Sequence, residues 1–437
     1  MPPRFQLDED DDVSHEAAAF IKAPEHVYQI VYSPLRQKLR QWVVQEVERE
    51  MPALVAIQQK YRTPLLDTLF VLTGMLGNHA FFMLALPFIH VFGGGQFARG
   101  LTFVVLWSIY FSGWIKDYIS APRPSSPPIV QITRSPAHTF EYGFPSSHTT
   151  YVVATILYIS YFMLNEWGMP LPYVVFIWVS GILIVVGRVY CGLHSFIDVI
   201  GGTVVGAVEA MAFVAFYPRL DTLLLSTPGP LYLAAALYVA LKNIPRSLDL
   251  CPCCIDSFCA TSVTLGLIAG TWIHARLPFL WHNGMPDRIA WSSSLSLVQN
   301  FMRCAITVVL VVAWKIASKA PLAALVQRVL LSSESCCDDH SNISDTGKHK
   351  CRRTSLYNAA VHSNSSDDTD VATSDKHSEE KPYSIPSSIC IAEGRFGTYE
   401  LMFTPENFAR VPIYAGIGVV VYVGAPLIFY FTGLLPV

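Results

Sequence analysis

Hydrophobic residues run in long blocks along this chain, and polar residues are confined to the gaps between the blocks. The runs Tyr173 to Val186 and Val411 to Phe431 contain no charged side chain, and about 20 such residues suffice to cross a bilayer. Apolar length, with Gly, Pro and charge at the ends, predicts spans near 68–92, 98–117, 149–165, 172–190, 196–217, 229–243, 258–278, 301–318 and 411–433. The stretch at 229–243 is the shortest, so the count is eight or nine. The fold class is all-α: a polytopic membrane protein with a six-helix core and additional C-terminal spans.

Ahead of the first span, Ser33-Pro34 offers an N-cap followed by proline at the first helical position. Leu35, Leu39, Trp42, Val43 and Val47 then share one face, and Arg36, Lys38, Arg40, Gln41 and Glu46 lie elsewhere. Such a helix lies in the membrane interface or packs on the rest of the protein, and Met51-Pro52 is expected to break or kink it. The chain thus divides into an acidic, disordered tail (1–32), an amphipathic region (33–63), a transmembrane core (64–245) and a further transmembrane region (246–331). A polar loop expected to be disordered (332–395), with sequons at Asn342 and Asn364, and a segment holding the last span (396–437) complete it.

Composition supports the membrane reading. Of 437 residues, 14% are charged and 52% hydrophobic, whereas soluble domains carry about a quarter charged. A net charge of -3 without a basic stripe excludes nucleic acid as an expected partner. The first 20 residues are polar and acidic, so no cleavable signal is expected there. Cys251, Cys253 and Cys254 cluster, but no CxxC pair or HxxxH follows at zinc-finger spacing, so no metal is expected. Acylation of loop thiols near the membrane surface is the other reading of that cluster.

Three polar clusters interrupt the apolar pattern. Lys116 to Pro124 follows the second predicted span, Pro145-Ser146-Ser147-His148 opens the third, and Gly187 to Asp198 runs from the end of the fourth into the fifth. Alternation of spans puts all these ends on one face. Lys116, Arg123 and Arg188 would there place three positive charges together, which is costly near a membrane unless an anion compensates; arginine's planar fork suits phosphate. Ser146, Ser147 and His148 sit where a helix begins, so its free N–H groups would add to the same anion site. His194 and Asp198, four apart, share a helix face, so the carboxylate can accept from one ring nitrogen and leave the other as a nucleophile. His148, from another span, can protonate a departing alkoxide.

Taken singly, each piece has a plainer reading: a basic residue at a span end is an anchor, a His with an Asp one turn on is a structural pair, and Pro-Ser-Ser-His is an N-cap. Anchors have no reason to converge on one face. Arg134, His138, Glu141 and His274 show no such partners in sequence and are read as loop, surface or span-end residues.

These clusters resemble the type-2 phosphatidic acid phosphatase superfamily, whose signature is Lys-x6-Arg-Pro, Pro-Ser-Gly-His and Ser-Arg-x5-His-x3-Asp. Ser147 and Gly187 depart from it, standing where Gly and Ser are usual, and a side-chain contact from position 187 to phosphate is therefore not expected. Lys116-Asp117-Tyr118, Pro122 to Pro128, Glu141-Tyr142-Gly143 and Gly187 to Gly192 look most like the fungal long-chain-base-1-phosphate phosphatases. The resemblance implies a metal-independent, cofactor-free lipid phosphate phosphatase acting on dihydrosphingosine 1-phosphate and related sphingoid phosphates. It implies His194 as nucleophile, Asp198 as its orienter and His148 as acid and base, with Lys116, Arg123, Ser146, Ser147 and Arg188 holding phosphate. It also implies residence in the endoplasmic reticulum membrane with the active site facing the lumen, although Arg36, Lys38 and Arg40 argue for a cytosolic N-terminus. Phosphatidate, a polyprenyl diphosphate, or lipid transport without catalysis are the alternatives.

Overall fold

The computed structural model describes residues 25–76, 79–92, 95–133, 141–245, 248–249, 251–281, 295–334 and 405–435. The expected acidic cluster, Arg134, His138, both sequons and nearly all of the polar loop lie outside them. The described residues are helical: α1 (Glu25–Val31), α2 (Pro34–Tyr61), α3 (Pro64–Met75), α4 (His79–Phe92), α5 (Gly95–Ile119), α6 (Ser147–Tyr161), α7 (Leu171–Tyr190), α8 (Phe196–Leu225), α9 (Gly229–Lys242), α10 (Cys253–His274), α11 (Leu297–Glu334), α12 (Pro405–Val419) and α13 (Ala425–Phe431). Single π turns extend α6 over Phe162–Glu166 and join α12 to α13 over Val420–Gly424.

Among the described residues, six helices are long and apolar enough to cross a membrane: α5, α7, α8, α10, the Leu297–Val326 part of α11, and Phe408–Phe431 in α12 and α13. The protein is a multi-pass membrane protein. The predicted span 68–92 is two helices, neither of which reaches the length of a span. α3 lies against the end of α7, where the Thr63 amide donates to Tyr190 Oη at 3.1 Å and Tyr190 Oη donates to Asp67 at 2.7 Å. α4 instead runs from Tyr151 on α6, whose ring is 5.2 Å from that of Phe82, to Thr102 on α5, 3.2 Å from His90.

α5 is the most enclosed span, packed by α6, α8 and α10. α6 and α8 cross closely because Gly202 and Gly206 carry no side chain: a Cβ on Gly206 would lie 2.3 Å from the Thr150 carbonyl oxygen. Outward faces are apolar, as at Phe176, Val179 and Ile182 on α7 and Val204 and Met211 on α8, as lipid contact requires.

The amphipathic helix differs from expectation in two ways. α2 runs unbroken through Pro52. Val43, Val47, Leu54 and Gln58 all face the protein, and this packing offsets the lost hydrogen bond. Leu35, Leu39 and Trp42 point outward, while Arg36 and Arg40 turn inward. Arg36 donates to the carbonyls of Asp117 (2.6 Å) and Tyr118 (2.5 Å), and Arg40 to that of Ser120 (3.2 Å). The two arginines thereby satisfy the open C-terminal carbonyls of α5. α1 forms within the segment expected to be disordered because Arg40 pairs with Glu25 and Tyr28 donates to Asp249 at 2.5 Å.

Candidate active site

The C-terminal ends of α5 and α7 and the N-terminal ends of α6 and α8 meet, as helix alternation requires. Each contributes a side chain because each sequence cluster is a helix boundary. Ser146 caps α6, accepting from the Thr149 amide at 3.4 Å, and its own amide donates to the Asp198 carbonyl at 2.9 Å. Ser195 caps α8 in a reciprocal box: Asp198 Oδ2 accepts from the Ser195 amide at 2.9 Å, and Ser195 Oγ accepts from the Asp198 amide at 3.5 Å. Gly143 lets the 141–145 loop close over the site. A Cβ there would meet the Pro122 carbonyl at 2.8 Å and Asp198 Oδ2 at 3.2 Å.

His194 lies in the short link between α7 and α8, 1% exposed, with Asp198 fully buried beside it. Its Nδ1 is 3.5 Å from Asp198 Oδ2 and its Nε2 is 3.1 Å from Arg123 Nη1. A guanidinium only donates, so Nε2 is the accepting, unprotonated nitrogen. The proton then sits on Nδ1, facing the carboxylate. Burial, reinforced by Arg123, Lys116, Arg188 and His148, holds the imidazole well below its ordinary pKa, so it is neutral across the physiological range.

Arg123 is fixed by the Leu193 carbonyl, which accepts from Nη1 at 2.7 Å, and by Glu141, 2.6 Å from Nη2. Lys116 donates to the Tyr142 carbonyl and stands 4.0 Å from the same Glu141 oxygen. Arg188 is buried, and its main-chain carbonyl receives the amides of Leu193 (3.2 Å) and His194 (3.3 Å). Among the described residues, Nε of Arg123 and Nε of Arg188 are buried without a hydrogen-bond partner. Ser147 opens α6 and is half-buried like His148, whose ring centroid is 5.2 Å from that of Tyr151.

The structure corrects one reading of the sequence: Glu141 has partners, and they are the basic residues of the site. Only its position in Glu-Tyr-Gly ahead of Pro145 hinted at this. Gly187 also acquires a reason, since a Cβ there would lie 2.7 Å from Phe70 of α3; the position faces that ring. His274 is bound to the Tyr422 carbonyl at 2.8 Å and belongs to the packing of α10. Asp117, Cys251 and Cys253 bring potential ligand atoms within 4.8 Å of one another. This set was missed because its carboxylate lies far upstream of the thiols, and three donors fall one short of a closed structural zinc site.

Helices long and apolar enough to cross a bilayer, bringing a buried basic cluster and a neutral histidine together at their ends, define an integral membrane protein with side chains suited to an anionic group. Residues 97–221 match the model of the PAP2 superfamily. A dihydrosphingosine 1-phosphate phosphatase of Schizosaccharomyces pombe is 30% identical over 405 residues, covering 90% of this chain and 91% of that protein. One of Saccharomyces cerevisiae is 32% identical over 70% of this chain and 76% of that protein. Lipid phosphate phosphatase delta of Arabidopsis thaliana is 30% identical over 54% and 58%. No solved structure matches. The chain belongs to the PAP2 superfamily, in the fungal long-chain-base-phosphate phosphatase branch. It is accordingly a lipid phosphate phosphatase, a phosphoric monoester hydrolase of the membrane.

Proposed function

We propose that this enzyme hydrolyses sphingoid long-chain-base 1-phosphates to the free base and inorganic phosphate through a phosphohistidine on His194. The fungal relatives, named for dihydrosphingosine 1-phosphate, support the substrate. The observation that carries the mechanism is the donation from Arg123 to His194 Nε2, which makes that nitrogen the unprotonated one and leaves the Nδ1 proton on the side of Asp198, whose Oδ2 is 3.5 Å away.

In this reading Arg123, Arg188 and Lys116 bind the phosphoryl oxygens with Ser146 and the first-turn amides around Ser147. Nε2 attacks phosphorus, the bond to the C1 oxygen breaks, and His148 gives that oxygen its proton. His148 then takes a proton from water, whose oxygen attacks phosphorus, and the P–N bond breaks to release phosphate and free His194. The cations and the α6 N-terminus stabilise the charge that builds on the equatorial oxygens. The enzyme would work in the endoplasmic reticulum membrane with its site toward the lumen. Arg36 and Arg40 do not oppose that orientation, because both are consumed in capping α5.

The test is phosphate release by purified protein from dihydrosphingosine 1-phosphate, phosphatidate and a polyprenyl diphosphate, with EDTA present and His194→Ala alongside. Preferential hydrolysis of the sphingoid phosphate that vanishes in the variant supports the reading. Preference for another lipid keeps the chemistry and replaces the substrate, and no hydrolysis of any by folded protein removes both.

A further inference from the structure

We propose that Glu141 forms a subsite for the ammonium group of the substrate, so that phosphate and a neighbouring cation are read as one unit. The inference rests on the sphingoid reading above and names the residue that would make it selective.

Glu141 stands where the phosphate should bind. One carboxylate oxygen is 2.6 Å from Arg123 Nη2 and 4.0 Å from Lys116 Nζ, two of the three cations assigned to the phosphoryl group. Phosphate and carboxylate therefore compete for the same donors, and the incoming dianion must displace the carboxylate from Arg123. The carboxylate cannot withdraw far. Its loop is pinned by the Gly143 amide on the Ala121 carbonyl at 2.8 Å and by Lys116 on the Tyr142 carbonyl, and it lies so near Pro122 and Asp198 that a Cβ at Gly143 would meet both.

Two anions would then lie side by side in a site that is mostly buried, with the Glu141 side chain 19% exposed. Such an arrangement is costly unless a cation joins them. A sphingoid 1-phosphate brings that cation: its amine is on C2, next to the C1 that carries the phosphate ester. The displaced carboxylate and the ammonium pair, and the substrate supplies the charge that Arg123 has given up. A phosphorylated diacylglycerol offers only ester oxygens at the corresponding position, leaves the carboxylate facing the phosphate, and is disfavoured. Attraction to one lipid and repulsion of the other arise from a single side chain.

A carboxylate that merely steadied Arg123 would serve all phosphate esters equally. The experiment compares kcat/KM for dihydrosphingosine 1-phosphate and its N-acetyl derivative, which keeps the chain and hydroxyl but loses the charge, in wild type, Glu141→Gln and Glu141→Asp. Wild type should prefer the amine by about ten-fold or more, Glu141→Asp should keep that order, and Glu141→Gln should bring the ratio to within about three-fold. Inhibition by vanadate, which probes the phosphate site alone and reports a folded site, should strengthen in Glu141→Gln because the competitor is gone. Equal losses on both lipids with the preference intact, or weaker vanadate inhibition, would overturn the subsite. A wild type that hydrolyses both lipids equally also overturns it, while leaving the sphingoid reading standing. A wild type active on phosphatidate alone removes that reading, and this one with it.

Discussion

Two buried arginines on or next to α5 face opposite fates. Arg99, near the start of α5, meets Asp221 of α8 in a bidentate pair, with Nη2 at 2.8 and 2.9 Å from the two carboxylate oxygens and Nε at 3.0 Å. Tyr217 adds its hydroxyl to the same carboxylate at 3.2 Å. At the other end, about 25 Å away along the helix at 1.5 Å per residue, Lys116 and Arg123 stand 4.0 and 2.6 Å from Glu141, beside the buried Arg188 and Asp198. The first arrangement satisfies its charges with fixed groups from the protein. Among the described residues the second leaves Nε of Arg123 and Nε of Arg188 buried without a hydrogen-bond partner, and on the proposed mechanism the substrate's phosphate supplies the compensation. On the proposed mechanism, charge satisfied within the fold marks a structural site, and charge left over at the convergent helix ends marks where the substrate's phosphate is held.

Substitutions at the two ends should therefore separate. Arg123→Lys keeps the charge but loses the fork that reaches Leu193, His194 and Glu141, and kcat/KM should fall by about 100-fold. Its melting temperature without ligand should stay near wild type, whereas the rise that vanadate gives the wild type should shrink; a large loss of unliganded stability would break the comparison. Asp221→Asn strands the buried Arg99 and should cost about 3 kcal/mol of stability while leaving kcat of the folded fraction close to wild type. Thermal unfolding in detergent beside single-turnover kinetics decides it.

The smallest effect concerns pH. His194 is depressed by burial and by its cationic neighbours, so it stays neutral in the fold at pH values where the unfolded chain's histidine, near 6.5, already takes a proton. The unfolded state then binds more protons, and this group's contribution to stability is complete above about pH 6.5 and is lost as pH falls toward the depressed value. Lys116→Met removes one neighbouring charge and should move the His194 titration upward, read by NMR of labelled histidine. No movement would mean that Lys116 has no part in it and that burial and the other neighbours set it.

The convergence of these side chains on one face was legible because helix alternation is a matter of parity: Lys116, Ser146, Arg188 and His194 each adjoin a span end, and the ends must meet. Other features depended on contacts between residues far apart in sequence. Glu141 reaches Arg123 across a loop that carries no periodic signal. Arg36 and Arg40 carry the charge of topology anchors, and nothing local shows that they cap α5. The stretch 68–92 is apolar on either side of Gly77-Asn78-His79, which is the local sign of its division, whereas the places that α3 and α4 take follow from Tyr190, Asp67 and Tyr151, which belong to other segments or precede it.

The central claim, that His194 carries the phosphoryl group, is tested most directly by rapid quench of the enzyme with substrate labelled in its phosphate. Labelled protein should form within a turnover, resist base, lose label in acid and map to the peptide containing His194. It should accumulate in His148→Ala, where water is no longer activated, and be absent from His194→Ala. Label on any other residue, or turnover with no labelled protein even in His148→Ala, would contradict the account.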